Sequence, residues 1–539
     1  MKIIVAEKMS SAAVNLLREP GWEVITPDQL NGSLVKELET ADALLVRSAV
    51  QVDSALLANA GKLRVIGRAG VGVDNIELEP ATRKGIAVMN TPGANAVAVA
   101  EITIGLMLSM ARFIPRANEL MHAGKWEKKS LQGTELRGKT LGIVGLGKIG
   151  LEVAKRARIF GMEIVAHDPF VSAAIAKDGG IRLAGLDEVY AASDYLSLHV
   201  GLTPQTQNMI NAESVKKMKR GVRLVNCARG ELIDEAALAA ALQQGQVAAA
   251  ALDVFVSEPL KDSPLQKMEN VILTPHIAGS TNEAQELVGV QIALQVKEYL
   301  TRGVIQNAVN VPSLSDQEYR EMQPYIDLAE RLGLFLGQLS QGNVESITVT
   351  YHGKVAEWKT ALLRNSVIKG TLKQSIDSVN LVNAVSVAAE RGIQVQEQKK
   401  PEDAHAGNVL SLSVRTHQGE HHARAAVLHG RYPRLLDLDG FHVEAPLEGY
   451  LTVFRNRDVP GVIGQVGTVL GKNEINIANF ALGRSEASAS KAAASASSGA
   501  GSARAEAMAV VQTDQPVTQN ALEELKRVAA VISVRAAQI

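Results

Sequence analysis

The chain has 539 residues, 56 basic and 57 acidic side chains, a formal net charge of -1, 46% hydrophobic residues and one cysteine. The balanced charge gives no reason to expect nucleic acid or a membrane surface as a partner, and a single cysteine excludes both an intrachain disulfide framework and a CxxC metal site. The length predicts three or four domains. The first segment has the pattern of a strand rather than of a signal peptide, which predicts a cytoplasmic protein.

The first 97 residues alternate short apolar strands with amphipathic helices. The predicted helices include Ser10–Arg18 and Ser33–Glu39. The predicted strands are Lys2–Ala6, Trp22–Thr26, Ala43–Val46, Leu63–Gly67 and Ile86–Asn90. This alternation is typical of a parallel α/β sheet with helices on both faces.

A second α/β unit begins at the predicted strand Thr140–Val144, between two long predicted helices, Val97–Arg112 and Asn282–Leu300. The two bracketing helices indicate that the chain leaves the first domain, builds the second, and returns. The first domain is therefore expected to be discontinuous, with residues 1–97 and 282–311 enclosing a second domain at 98–281, and the helices are expected to flank a hinge over a cleft.

The pattern changes from about residue 312. Strand-like runs such as Ser346–Tyr351 and Val409–Thr416 mix with helices and predict an α+β domain at 312–446. Residues 447–539 show the order strand, helix, strand, strand, helix, strand of a ferredoxin-like βαββαβ domain. Within it, residues 485–505 are almost entirely Ala, Ser and Gly, a composition that cannot form a core and that predicts a flexible loop.

A glycine motif opens the second unit. Gly145, Gly147 and Gly150 fit G-x-G-x-x-G between the first strand and the predicted helix Leu151–Phe160. Such glycines let the backbone turn tightly and approach a pyrophosphate, which the helix N-terminus attracts. Asp168 ends the next strand, where a carboxylate accepts hydrogen bonds from ribose hydroxyls and repels a 2′-phosphate. The motif predicts NAD as the cofactor; the alternative is a glycine turn in a cofactor-free domain.

Three polar side chains follow later predicted strands of the same unit. The strands are Val222–Cys227, Ala250–Phe255 and Asn270–Leu273. Because open parallel sheets bind ligands at the C-terminal ends of their strands, we expect Arg229, Glu258 and His276 to converge. His276 would be the acid/base of a hydride transfer, Glu258 would orient it, and Arg229 would bind a substrate carboxylate. Taken singly, each has an alternative: a surface ion pair, a turn, and a capping histidine.

The motifs resemble those of the D-isomer-specific 2-hydroxyacid dehydrogenase family over about residues 1–310. The matching segments are Gly145–Gly150, Asn226–Gly230, Asp253–Phe255 with Glu258 and Pro259, and Thr274–His276. The resemblance implies a discontinuous flavodoxin-like substrate domain and a Rossmann-type NAD domain, followed by an α+β intervening domain and a C-terminal ACT domain. It also implies the family's catalytic roles for Arg229, Glu258 and His276.

By the same resemblance, contacts to NAD come from the glycine loop and from the ends of neighbouring strands. The implied residues are Gly145, Gly147, Lys148, Ile149, Gly150, Asp168, Val200, Cys227, Ala228, Arg229, Asp253, His276, Ile277, Ala278, Gly279 and Val71. Val71 and Val200 stand where relatives often carry threonine, so one side-chain hydrogen bond to NAD is expected to be absent at each.

A substrate is implied by the resemblance to those family members that have two further C-terminal domains. They oxidise 3-phospho-D-glycerate to 3-phosphohydroxypyruvate with NAD, the first step of L-serine biosynthesis, and a side reduction of 2-oxoglutarate to 2-hydroxyglutarate is plausible. The implied substrate-binding residues are Arg47, Ser48, Arg68, Ala69 and Gly70, with Lys128 or Lys129 as a further positive charge. The alternatives are a glyoxylate or hydroxypyruvate reductase and a non-catalytic NAD-sensing corepressor.

The last domain resembles the ACT family, small modules that often bind amino acids between two paired copies. Asn456, Asp458 and Asn476 match the ligand-binding corners of that family and imply L-serine as an effector. The alternative is that these side chains cap turns and helices. The insertion after Arg484 departs from the family pattern and weakens the case for pairing between ACT domains. A homodimer or homotetramer is expected from the resemblance.

Two further features predict no separate chemistry. His417, His421, His422 and His429 are close in sequence but lack a tight ligand spacing, so a solvated edge is favoured over a metal site. Cys227 has no neighbouring base to activate it, and a buried packing role is favoured.

Overall fold

A computed structural model of the chain describes residues 1–30, 32–314, 316–400, 407–485 and 506–539. Apart from Ser485, the predicted flexible loop 485–505 lies outside the described residues. Four sheets organise the rest of the chain.

The first domain is a parallel sheet flanked by short helices. Its elements are β1 (Lys2–Val5), α1 (Ser11–Leu16), β2 (Glu23–Ile25), α2 (Leu34–Leu38), β3 (Ala43–Val46), α3 (Ser54–Ala58), β4 (Val65–Arg68), α4 (Leu78–Arg83) and β5 (Ala87–Met89). The strand order β2-β1-β3-β4-β5, with every pair parallel, is the flavodoxin-like order. Its central strands are apolar along their length because both faces are covered by helices.

The second domain is a larger parallel sheet. Its elements are α5 (Ala96–Arg112), α6 (Ile114–His122), β6 (Thr140–Val144), α7 (Lys148–Ile159), β7 (Glu163–His167), α8 (Ala173–Asp178), β8 (Arg182–Leu183), α9 (Leu186–Ala192), β9 (Tyr195–Leu198), α10 (Ala212–Lys217), β10 (Val222–Asn226), α11 (Glu235–Gln243), β11 (Val247–Leu252) and β12 (Val271–Leu273). The order β12-β11-β10-β9-β6-β7-β8 reverses at β6, where α/β sheets of this class bind dinucleotides.

Helix α12 (Asn282–Arg302) carries the chain back to the first domain. Ile292 and Val296 are fully buried in one core with Ile3 and Val65 of the first sheet. Helix α5 instead packs in the core of the second domain, with Met107 against Leu141. The predicted discontinuous substrate domain and Rossmann-type domain are therefore confirmed as fold classes.

One pair of helices has a notable apolar composition. No single helix of the described residues has the length and hydropathy needed to cross a bilayer, and the apolar pair formed by α5 and α6 is bent by 64°.

The intervening domain is a mixed sheet with helices on one face. Its elements are α13 (Asp316–Leu339), β13 (Val344–His352), α14 (Ala361–Leu372), α15 (Ala384–Glu390), β14 (Gln394–Lys400), β15 (Val409–Thr416), β16 (Gly419–Leu428), β17 (Tyr432–Leu438) and β18 (Phe441–Pro446). The strand order is β14-β13-β15-β16-β17-β18, parallel only between β13 and β14. Phe335 and Leu363 fill the space between the helices and this sheet. The predicted α+β class is confirmed.

The C-terminal domain has the predicted βαββαβ order. Its elements are β19 (Tyr450–Arg457), α16 (Val462–Lys472), β20 (Ile477–Arg484), β21 (Glu506–Thr513), α17 (Gln519–Lys526) and β22 (Val531–Gln538). The antiparallel order β20-β21-β19-β22 is ferredoxin-like. One face packs on α16 and α17 through Phe454 and Val466, and the other shares the core of the intervening domain through Leu451 and Val510.

Candidate active site

The glycine loop forms a cradle between β6 and α7. Gly145 has a φ of +96°, and a Cβ placed on Gly147 would meet nothing within 4 Å, so the backbone is open to a ligand. Helix α7 begins at Lys148 rather than at the predicted Leu151, because the helix starts directly after the loop. Its first N–H groups consequently face the space that a pyrophosphate would fill.

The acidic residue of the motif lies against this loop. Asp168 Oδ2 accepts a hydrogen bond from the Leu146 N–H at 2.8 Å, and Oδ1 accepts from the Phe170 N–H at 2.8 Å. The carboxylate is half-buried at the end of β7. Asp168 is therefore held where the adenosine ribose of a dinucleotide would lie, and the residues present fit NAD.

Four other predicted cofactor contacts make different interactions within the chain. Val200 follows β9 and lies beside Gly145, and the carbonyl of Val71 accepts from the Asn90 side chain. Lys148 Nζ donates to the carbonyl of Pro92 at 2.9 Å, so its side chain reaches from the second domain to the connection between the domains. The neighbouring Ile149 packs partly into the core of the second domain. Direct contacts of these side chains to NAD stay predictions.

Asp253 organises the loop that carries His276. It is fully buried, and its carboxylate accepts from the backbone N–H groups of Ile277 at 2.9 Å and Ala278 at 2.8 Å and from the Thr274 hydroxyl at 2.6 Å. The preceding strand β11 ends at Leu252, so the predicted extension of this strand to residue 255 is wrong. It ends there because the Asp253 side chain supplies the hydrogen bonds of the adjacent loop.

The predicted cofactor-binding segment that starts at Cys227 is also buried or half-buried. Burial, together with the nearby Asp253 charge, raises the pKa of the Cys227 thiol to about 12. The Ala228 N–H donates to the side chain of Asn226 at 3.0 Å, which shapes the turn after β10. A thiol with a pKa this high is a poor nucleophile at neutral pH.

His276 and Glu258 form a pair at the cleft. His276 Nδ1 lies 2.7 Å from Glu258 Oε2, and the other oxygen of Glu258 accepts from the Phe255 N–H at 3.1 Å. His276 has a φ of 52° and its N–H donates to the Asp253 carbonyl at 2.8 Å, so the backbone is fixed in the left-handed region. With Nδ1 bound to the carboxylate, Nε2 is the nitrogen available to a substrate.

A cleft of about 500 Å³ lies between the two domains, in front of His276. The lining residues are Arg47, Ser48, Gln51, Arg68, Ala69, Gly70, Asp74, Asn75, Asn95, Glu258, Pro275, His276, Gly279, Ser280, Gln285 and Val288. The five first-domain residues predicted to bind substrate, Arg47, Ser48, Arg68, Ala69 and Gly70, are all among them. Lys128 and Lys129 are exposed on the 3-10 turn Lys128–Leu131 and are not among the residues that line the cleft, and a contact of Lys128 with substrate stays a prediction.

Arg229 of the second domain lies at the edge of this cleft, where it forms an ion pair with Asp74 of the first domain. Its Nε lies 3.0 Å and its Nη2 2.9 Å from Asp74 Oδ2. Arg68, which lines the cleft, has a pKa lowered by burial and by the neighbouring charge of Arg229. Two guanidinium groups thus lie close together at the site.

Asp74 and Asn95 are two of the cleft residues that reasoning from the sequence missed. Asp74 follows β4, so the strand-end rule that identified Arg229 would have found it had the rule been applied to the first sheet as well. Asn95 precedes α5, where an asparagine reads as a helix cap, but its side chain makes no cap bond and its Oδ1 is buried without a hydrogen-bond partner among the described residues. Burial of an unpaired amide oxygen is visible only in the fold.

The ACT residues do not form one site within the chain. Asn456 is 2% exposed at the end of β19, and Asp458 beside it is paired with Arg484 at 2.6 Å. Asn476 precedes β20 and donates to Asp514 at 2.5 Å. The strand register pairs Asn456 with Ala507, whereas the first residue of β20 pairs with Thr513, at the other end of the sheet. Asn456 and Asp458 therefore do not meet Asn476 within one chain, and the binding of an effector by these residues stays a prediction.

Two of the four clustered histidines, His421 and His422, are paired with carboxylates of the intervening domain. His421 Nδ1 lies 2.8 Å from Asp439 Oδ2, and His422 lies 3.9 Å from Asp437. Strand pairing between β16 and β17 explains this arrangement, since it places the two segments side by side.

Three segments of the chain match known domain families. Residues 104–278 match the NAD binding domain of D-isomer specific 2-hydroxyacid dehydrogenases. Residues 321–439 match the D-3-phosphoglycerate dehydrogenase intervening domain, and residues 450–530 match the ACT domain.

Relatives match over most of the chain. A D-3-phosphoglycerate dehydrogenase of Methanocaldococcus jannaschii is 41% identical over 90% of this chain and 93% of its own, and one of Archaeoglobus fulgidus is 39% identical over 99% of both. Among solved structures, D-lactate dehydrogenase from Aquifex aeolicus, complexed with NAD and lactic acid, superposes with a TM-score of 0.51 at 28% identity, covering 58% of this chain and all of that one. The chain belongs to the D-3-phosphoglycerate dehydrogenases, NAD-dependent oxidoreductases of the D-isomer-specific 2-hydroxyacid dehydrogenase family.

Proposed function

We propose that the chain oxidises 3-phospho-D-glycerate to 3-phosphohydroxypyruvate as the first step of L-serine biosynthesis, with His276 as acid/base. The observation that carries this proposal is the His276–Glu258 pair at a cleft lined by Arg47 and Arg68. A base and two cations in one cleft suit a 2-hydroxy acid that carries a second anionic group.

The paired carboxylate explains how His276 would work. When bound, NAD supplies the hydride acceptor next to the substrate. As the C2 hydrogen leaves, His276 Nε2 takes the proton of the C2 hydroxyl, and Glu258 stabilises the imidazolium through Nδ1. Asp253 keeps the imidazole in place by holding the backbone on both sides of it. The guanidinium of Arg229 binds the substrate carboxylate.

The phosphate would lie against the first domain. Arg68 is largely buried, and its Nε has no hydrogen-bond partner among the described residues. The positive charge of Arg229 repels that of Arg68 and lowers its pKa. Two neighbouring cations in a partly buried cleft favour binding of a doubly anionic ligand, because each anionic group offsets part of their repulsion. Arg47 extends the same positive surface.

The test is NADH oxidation with 3-phosphohydroxypyruvate, compared with hydroxypyruvate, glyoxylate and 2-oxoglutarate at matched concentrations. We expect a strong preference for the phosphorylated acid, and a smaller rate with 2-oxoglutarate, which also has a second anion. Arg68→Gln should reduce this preference, whereas Arg83→Gln, which changes an exposed arginine on α4, should not. Equal rates with hydroxypyruvate and 3-phosphohydroxypyruvate would contradict the phosphate site.

The proposal includes regulation by L-serine at the ACT domain. Since Asn456 and Asn476 lie at opposite ends of one sheet, a serine held by both requires two copies of the chain. We therefore propose a cytoplasmic homodimer or homotetramer. Light scattering should give a multiple of 57.4 kDa, and titration calorimetry should show serine binding that Asn456→Ala abolishes. A monomer, or a serine affinity unchanged in Asn456→Ala, would contradict this site.

The proposed domain boundaries follow residues 97, 281, 311 and 446. Limited proteolysis followed by mass spectrometry tests them, because exposed connections between domains are cut first. Early cleavage inside β13 or β19, both central strands, would be inconsistent with these boundaries.

A further inference from the structure

The guanidinium of Arg229 is held by a carboxylate from the opposite domain. Asp74 Oδ2 lies 3.0 Å from Arg229 Nε and 2.9 Å from Nη2. Asp74 follows β4 of the first domain, whereas Arg229 follows β10 of the second. The pair therefore joins the domains at the cleft in which the substrate would bind.

The position of Asp74 on the guanidinium determines which donors remain. Arginine has five N–H donors, and Nε and Nη2 form one edge of the group. Asp74 occupies this edge, while Nη1 donates to the Ala228 carbonyl at 2.6 Å. The remaining N–H groups are on Nη1 and Nη2, the pair that can form a bidentate fork with a carboxylate. Among the described residues, these contacts leave one N–H of Nη1 and one of Nη2 for a substrate.

The backbones on both sides of the pair are fixed by other side chains. Asn75 Nδ2, next to Asp74, donates to the carbonyl of Arg47 at 3.0 Å. Asn226, which is 1% exposed, donates through Nδ2 to the carbonyl of Arg229 at 2.7 Å. With both backbones anchored, Asp74 and the Ala228 carbonyl hold the guanidinium itself, and of these two only Asp74 belongs to the opposite domain.

Two neighbours support this role. A Cβ on Gly72 would lie 1.8 Å from Arg229 Nη2 and 2.7 Å from Asp74 Oδ2, so the pair depends on a residue without a side chain. The charge of Asp74 also raises the pKa of Arg68, opposing the lowering by burial and by Arg229. Asp74 therefore offsets the repulsion between two arginines that line or border one cleft.

We propose that Asp74 is a positioning residue for the reaction, which holds Arg229 across the cleft in the orientation that receives the substrate carboxylate. This inference rests on the proposed function only in requiring a 2-keto or 2-hydroxy acid. It does not depend on the phosphate, because every candidate substrate carries the carboxylate.

The test compares Asp74→Ala and Asp74→Asn with Glu79→Ala, which removes the exposed partner of Arg83 on α4 of the same domain. The measurements are kcat and KM for the best keto acid, the Kd of NADH, and the Kd of oxamate, a small 2-keto-acid mimic, for the enzyme–NADH complex. Loss of a charge-assisted hydrogen bond should lower kcat/KM of Asp74→Ala roughly tenfold to a hundredfold and weaken oxamate binding similarly. Asp74→Asn, which retains an acceptor oxygen, should lose less. NADH binding and the Glu79→Ala kinetics should be unchanged.

A double-mutant cycle with Arg229→Lys separates positioning from a general structural effect. If Asp74 acts through Arg229, adding Asp74→Ala to Arg229→Lys should cause little further loss. Two results would overturn the proposal: losses of kcat/KM that multiply in the double mutant, and tighter oxamate binding in Asp74→Ala. The second result would mean that Asp74 competes with the substrate carboxylate for the N–H groups of Arg229. Failure of the proposed function would instead be seen in the wild-type substrate preference, which this cycle does not use.

Discussion

The active-site sheet and the C-terminal sheet present polar side chains in different ways. In the second domain every strand is parallel, so the turns after β10, β11 and β12 emerge at one edge, and Asp253 joins two of these loops by hydrogen bonds. In the C-terminal domain β19 and β20 are both antiparallel to β21 and so run in the same direction, but Asn456 lies near the end of β19 whereas Asn476 precedes the start of β20, and the two residues lie at opposite ends of the sheet. Residues that all follow parallel strands come together within a single chain, whereas a residue that ends one strand and a residue that precedes another strand of the same direction are separated, and a ligand held by both requires a second copy.

The largest expected effect is at the histidine of the parallel edge. His276→Gln should lower kcat by about 10²–10⁴-fold, because general acid/base catalysis contributes about that much. NADH binding should change little, and Glu258→Gln should show a smaller loss, since it removes only the group that orients the imidazole. Steady-state kinetics and NADH fluorescence titration provide the measurements. Retention of wild-type kcat in His276→Gln would contradict the assigned role.

The next effect tests whether the loops are joined through Asp253. Asp253→Ala leaves the buried N–H groups of Ile277 and Ala278 without their acceptor, at a cost of about 1–3 kcal/mol for each unpaired group. We expect a lower Tm together with a lower kcat, as the His276 loop loses its anchor. The matched control is Asp187→Ala, an exposed carboxylate of the same domain that pairs with Lys217. A lower Tm with an unchanged kcat would show that the anchoring of the His276 loop by Asp253 does not affect catalysis.

A smaller effect concerns stability against acid. Burial lowers the pKa of His199 to about 4, so the folded chain keeps this imidazole neutral at pH values where the unfolded chain, with a pKa near 6.5, protonates it. Stability is therefore full above about pH 6.5 and falls as the pH drops towards 4, by roughly 1 kcal/mol per pH unit. His199→Gln should flatten this dependence in denaturant unfolding, whereas His122→Gln, at an exposed position, should not. An unchanged slope in His199→Gln would assign the acid sensitivity to other groups.

The smallest effect is expected at the antiparallel sheet. Asp458→Ala removes a partly exposed ion pair with Arg484, and exposed pairs contribute about 0–1 kcal/mol. We expect a Tm within about 2 °C of the wild type and unchanged kinetics in the absence of serine. A large loss of activity without any effector would show that the C-terminal corner supports the catalytic domains directly.

Much of the fold and the site could be predicted from local sequence. The glycine motif, the apolar strands and the residues that follow them are each recognisable from the residue types within one short segment. Strands β3, β6 and β15 accordingly begin and end at the predicted residues. Strand β11 was misplaced because its alanines have weak strand preference and its end depends on Asp253, whose hydrogen-bond partners are more than twenty residues away. Short elements such as α6 and β8 depend on neighbours that the sequence pattern does not show.

The sequence by itself determined the order of the domains and the cofactor motif, and it singled out His276, Glu258 and Arg229 as the candidates for the chemistry, because these depend on residue type and spacing along the chain. The tertiary structure decided that Lys128 lies outside the cleft, that Asp74 and Asn95 belong to it, and that the ACT residues are separated. These outcomes depend on which surfaces the return of α12 and the strand directions bring together, and no local pattern records contacts between segments so far apart in sequence.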